Sequence, residues 1–75
     1  MIKEIEILQK IGAKLRQLRI EKGYTSHENF AFENDLSRMQ YWRIEKGITN
    51  LTIRSLVRIL NIHGLSIEEF FSEDK

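Results

Sequence analysis

The sequence predicts an all-α domain of five helices, and three observations carry that reading. Apolar residues recur at three- and four-residue spacing through most of the chain. Serine or threonine stands just ahead of several of these runs, and glycine just behind them, at Gly23, Gly47 and Gly64. No segment sustains the alternation of apolar and polar residues that a half-buried strand requires.

Ile5, Leu8, Ile11, Leu15 and Leu18 form one stripe, so helix 1 is expected from about 2 to 22 and to stop at Gly23. Gly12 interrupts the stripe and weakens the helix by roughly 1 kcal/mol relative to alanine, but permits another helix to approach closely. Ser26 is the N-cap of helix 2, about 26–33, with Phe30 and Ala31 facing inward and Leu36 following. Asn34-Asp35 breaks the pattern with two residue types that tolerate a left-handed turn. Ser37 opens helix 3, about 37–46, which ends at Gly47. After the Ile48-Thr49-Asn50-Leu51 loop, Thr52 caps helix 4, whose apolar set is Ile53, Leu56, Val57, Ile59 and Leu60. Ser66-Ile67-Glu68-Glu69 is a capping box ahead of Phe70 and Phe71. Those two are neighbours on a helix, so only one is expected to be fully buried, and the other is a natural dimer contact.

Seventy-five residues suffice for one small domain, expected to span 1–75 with no linker or internal repeat. The absence of cysteine excludes a disulfide framework, a thiolate zinc site and a cysteine nucleophile. Apolar runs of at most three residues exclude a membrane span, and the Met1-Ile2-Lys3-Glu4 start offers no secretory segment, so a cytoplasmic protein is expected. No glycine-rich phosphate loop or Ser-His-Asp constellation is arranged on the elements, and neither an enzyme nor a metal or cofactor site is expected. The net charge of +1 favours no partner, but its distribution is uneven. Residues 1–22 carry six basic side chains against three acidic ones, whereas Glu68, Glu69, Glu73 and Asp74 gather near the end. An anion-facing end or ordinary solvated surface both fit that pattern.

Residues 26–47 hold the chemistry. On a helical wheel, Tyr41 and Ile44 mark the inward face of helix 3, opposite Arg38, Met39, Trp42, Arg43 and Lys46. Tryptophan and methionine outward among three cations suit a partner that is flat, anionic and partly apolar. The DNA major groove answers that description. Arginine donates two hydrogen bonds to guanine O6 and N7, Met39 and Trp42 meet thymine methyls or sugars, and Gln40 pairs with adenine or a phosphate oxygen. The polarised N-termini of helices 2 and 4, around Ser26 and Thr52, suit phosphates.

From Ile11 to Phe71 the chain resembles the lambda-repressor/Cro-like helix-turn-helix family, the xenobiotic-response-element type. The resemblance rests on Ile11-Gly12, Leu15-Arg16, Leu18-Arg19, Glu21-Lys22-Gly23, Ser26-His27-Glu28, Phe30-Ala31 and Leu36-Ser37-Arg38. It continues through Arg43-Ile44-Glu45-Lys46-Gly47, Asn50-Leu51-Thr52-Ile53 and Leu56 to Gly64-Leu65-Ser66 and Glu69-Phe70-Phe71. Residues 1–10 then extend helix 1 beyond the family's usual start, and Ile2, Ile5 and Ile7 either cover the bundle or pack against a second subunit. The resemblance implies a five-helix, lambda-repressor-like fold with its helix-turn-helix at about 26–46. It also implies sequence-specific binding of double-stranded DNA, usually as a homodimer. By position it places base reading on Arg38, Met39, Gln40 and Arg43 with Trp42 beside them, and a phosphate contact on His27. Ser26 and Thr52 at their helix N-termini, with Ser37, Lys46 and Asn50, are the other expected phosphate contacts. Ala31 falls at the close crossing of the two helices, and Glu45 matches an acid taken as structural.

This chain departs from the family pattern at Asp35, which replaces a turn glycine, and at Asn34 and His63, which replace apolar residues. One additional residue separates Gly23 from Ser26. The expected function is a dimeric transcriptional repressor reading a pseudo-palindromic operator. A chain with no room for a sensing module fits a phage-type repressor, a restriction–modification controller, or an antitoxin whose partner is a toxin. A helical interaction module that has lost DNA binding is the remaining alternative, favoured by the weak net charge and by Glu28, Glu33 and Asp35.

Overall fold

A computed structural model describes residues 3–72. The described residues form five helices and no strand: α1 (Glu4–Glu21), α2 (His27–Glu33), α3 (Arg38–Lys46), α4 (Ile53–His63) and α5 (Ile67–Phe71). The expected beginning of helix 1 at Ile2 and the acids Glu73 and Asp74 lie outside the described residues.

Local chemistry sets the boundaries. The Ser26 hydroxyl accepts from the amides of Glu28 and Asn29 at 3.0 and 3.2 Å. Ser37 accepts from Gln40 N at 3.3 Å, and Thr52 from Ser55 N at 3.0 Å. Ser66 and Glu69 form a reciprocal capping box. Each cap satisfies amides that the first helical turn leaves without partners. At the other ends, Gly47 and Gly64 adopt left-handed φ of 72° and 70° and close α3 and α4.

Leu15, Phe30, Ala31, Tyr41, Ile44, Leu56, Ile59, Leu60 and Phe70 are the buried core, with contributions from every helix. Phe30 is its hub. Its ring lies 5.2 Å from Tyr24, edge-on, 5.0 Å from Tyr41 and 5.4 Å from His63, the last nearly parallel. His63, which replaces an apolar residue, is thus stacked in the interior with its Nε2 buried and without a hydrogen-bond partner. Burial first, and then nearby Lys22, hold its pKa below the ordinary imidazole value.

Gly12 lets α1 lie directly on α3. A Cβ at this position would stand 2.4 Å from the Glu45 carbonyl oxygen and 2.5 Å from that of Ile44. Along the same face of α1, Leu15 and Arg19 are buried. The Arg19 Nε donates to Glu45 Oε2 at 2.8 Å and its Nη2 to Oε1 at 3.2 Å, while Nη1 donates to the Tyr24 carbonyl at 2.9 Å. The hydrogen bond to Glu45 raises the Arg19 pKa further, against the effect of burial. Glu45 is therefore a structural acid that ties α3 to α1. Tyr41 lies beside the pair, and burial followed by the Glu45 carboxylate raises the pKa of its hydroxyl.

Several expectations about burial need correction. Ile53 and Val57 belong to the apolar set of α4 but are exposed, at 70% and 36%, because Leu56, Ile59 and Leu60 define the face that meets the core. Ile5 belongs to the α1 stripe but is exposed, as is Ile7, so neither is part of the core. Arg19 belongs to the core rather than to a basic surface. Phe70 is buried and Phe71 half exposed, as their adjacency requires.

Candidate nucleic-acid interface

Residues 26–46 form the two helices and the turn that present α3. The turn departs from helical geometry at Asp35, the described non-glycine residue with positive φ, at 60°. Aspartate tolerates this conformation better than most side chains. Its surroundings hold it there. Leu36 N donates to the Ala31 carbonyl at 2.8 Å, Asn34 Nδ2 to the Phe30 carbonyl at 2.9 Å, and Arg58 Nη2 to the Asp35 carbonyl at 2.6 Å. Asn34 thus uses its amide to close α2, which explains a polar residue where the family carries an apolar one. Ala31 is fully buried.

Tyr41 and Ile44 pin the inward face of α3, and the opposite face is open. Arg38, Met39, Gln40, Arg43 and Lys46 are exposed, and Trp42 is half-buried. The Lys46 ammonium stands 5.9 Å from the centre of the Trp42 ring, a cation–π distance. The five residues expected to read bases are therefore on one helix, four of them exposed and Trp42 partly covered.

Residues expected to meet phosphate lie around that helix. Lys46 and Asn50 are exposed, and His27 is half-buried at the first position of α2. The hydroxyls of Ser26, Ser37 and Thr52 are already acceptors in their caps, and Thr52 also donates to Ser55 Oγ at 3.1 Å. Thr52 has committed its hydroxyl inside the protein, so the free amides of the first α4 turn are the donors left at that end.

His27, Glu28, Arg38, Met39 and Trp42 line a shallow concavity of about 300 Å³ between α2 and α3. Within it Arg38 Nη1 donates to Glu28 Oε2 at 3.4 Å, with both side chains more than half exposed. The sequence marks Glu28 as part of the family pattern and as an acid unfavourable to DNA, and gives no sign of this pairing. The two residues are far apart in sequence, and a turn lies between them. Arg19 was missed as well, although its spacing from Gly12 and Leu15 puts it on their face of α1.

Among the described residues no cluster of histidine, cysteine, aspartate or glutamate is arranged to hold a metal ion. None of the described helices is long and apolar enough to cross a membrane.

Residues 15–70 match the family model described as helix-turn-helix. The chain is 38% identical to the control protein C.MunI of Mycoplasma sp. over 68 residues, which span 91% of this chain and 92% of that one. It is 37% identical to the control protein C.BamHI of Bacillus amyloliquefaciens over 54 residues, covering 72% and 67% of the two chains. Among solved structures it resembles the restriction–modification controller protein C.AhdI of Aeromonas hydrophila. The TM-score is 0.76 at 30% identity, over 88% of this chain and 98% of that one. The open face of α3, the capped turn before it and these similarities converge: the chain belongs to the helix-turn-helix family of DNA-binding transcriptional regulators.

Proposed function

We propose that this protein is the controller of a restriction–modification system, acting in the cytoplasm as a homodimer that represses or tunes transcription from a pseudo-palindromic operator. The observation that carries the DNA-binding mode is the outward face of α3, where Arg38, Met39, Gln40 and Arg43 are exposed on a helix anchored by Tyr41 and Ile44. In this reading α3 enters the major groove, Arg38 and Arg43 discriminate guanine, and Met39 and the exposed part of Trp42 meet thymine methyls. Ser26, His27, Ser37, Lys46 and Asn50 position the duplex through phosphates, and at the start of α4 the backbone amides that follow Thr52 do so in place of its hydroxyl. The protein works by binding and not by catalysis.

Similarity to control proteins along most of the chain supports the controller role over that of a toxin-neutralising antitoxin. The half-exposed Phe71 on α5 supports a dimer, since an aromatic ring left in water by one copy is available to a second.

Selection of bound sequences from a random duplex pool at low salt tests the reading. Enrichment of an inverted repeat with half-sites about one helical turn apart is the expected result. Retention without enrichment removes the base-reading roles, and no retention removes the DNA-binding assignment to this face.

A further inference from the structure

We propose that Glu28 is a positioning residue for Arg38, holding its guanidinium so that one two-donor edge faces the major groove. The inference rests on the reading of Arg38 as a base-reading residue. Glu28 lies at the start of α2 and Arg38 at the start of α3, on opposite sides of the turn. Only Arg38 Nη1 is engaged, by Glu28 Oε2 at 3.4 Å. Nε and Nη2 have no partner among the described residues, so a complete edge remains for guanine O6 and N7.

The surroundings give this contact its direction. Met39 and Trp42 wall the same concavity with apolar surface and offer the guanidinium no competing acceptor. In the free protein the pair is exposed and screened by water. A duplex seated on α3 excludes that water and strengthens the attraction, because the effective dielectric falls. The carboxylate also opposes any complex in which Arg38 swings away to a phosphate, since Glu28 is then left unneutralised beside a polyanion. Glu28 therefore favours the guanine-bound state and disfavours sequence-independent binding. A negative charge with no positioning role would weaken both kinds of binding alike.

The test uses the full chain with Glu28→Ala, Glu28→Gln and Arg38→Ala. Affinities are measured at one fixed salt concentration for the selected operator, for the operator with its Arg38-dependent guanine pair replaced, and for random duplex. Discrimination at that pair should fall about three- to fivefold in Glu28→Ala, the upper range of an exposed ion pair. Binding to random duplex should hold or rise. Glu28→Gln, which keeps an acceptor and loses the charge, should fall between. The proposal is overturned if Arg38→Ala abolishes discrimination while Glu28→Ala leaves it unchanged, or raises affinity for all three duplexes equally. Unchanged discrimination in Arg38→Ala overturns it too, and identifies the base-reading assignment as the point of failure.

Discussion

Replacing Arg19 with methionine leaves the Glu45 carboxylate buried, with no cation, and takes the Nη1 donor from the Tyr24 carbonyl. The arginine and glutamate side chains are only 6% and 5% exposed, so water cannot take over either role. Removing one partner of such a pair costs about 3–5 kcal/mol. For a chain of this length that is a large part of a total stability of about 4–11 kcal/mol, and the melting temperature should fall by more than about 10 °C. Thermal and urea unfolding followed by far-UV circular dichroism measure the loss. The double variant Arg19→Met with Glu45→Leu removes the stranded charge, so it should be more stable than Arg19→Met alone. A loss below about 1 kcal/mol in the single variant, or a double-variant loss equal to the sum of the two single ones, would refute the buried pair as the tie between α1 and α3.

Gly12→Ala gains about 1 kcal/mol in helix propensity. Its Cβ nevertheless meets two backbone carbonyls of α3, an overpacking cost of about 1–3 kcal/mol, so a net loss of up to about 2 kcal/mol is expected from the urea midpoint. His63 is partly buried and its pKa is lowered, so the unfolded chain takes up its proton first as the pH falls. That contribution is complete above about pH 6.5 and is lost as pH drops toward the folded-state value. His63→Phe should flatten the fall in melting temperature between about pH 7 and pH 5.5. Arg43→Ala should relax preference at one base pair and cost about 1–3 kcal/mol in operator binding. Ser26→Ala should instead weaken binding to every duplex alike, and lower stability by about 0.5–2 kcal/mol through loss of the cap. Competition binding against point-substituted operators separates these two patterns.

What the sequence made legible was mostly local. Ser26, Ser37, Thr52 and Ser66 announce their helices because a cap acts within three residues of itself, and Gly47 and Gly64 mark ends for the same reason. The outward face of α3 followed from spacing around Tyr41 and Ile44. Other features depend on a neighbour distant in the chain. The burial of Arg19 needs Glu45, and the exposure of Ile53 and Val57 depends on which face of an apolar helix meets the core. The interior place of His63 needs the ring of Phe30. Glu28 read as an unfavourable charge because its partner, Arg38, lies across the turn.

The helices that follow α1 are short: 7 residues in α2, 9 in α3, 11 in α4 and 5 in α5. Helices below about 12–15 residues are marginal in water on their own, whatever their caps. The helix proposed to enter the major groove, α3, therefore exists only while the shared core exists. Amide hydrogens inside α3 should exchange with solvent at the rate set by opening of the whole bundle rather than by local fraying. A partly unfolded chain that still occupied an operator is not an accessible species. For a DNA-binding regulator, the concentration that counts is therefore that of the folded fraction, and one all-or-none equilibrium sets it.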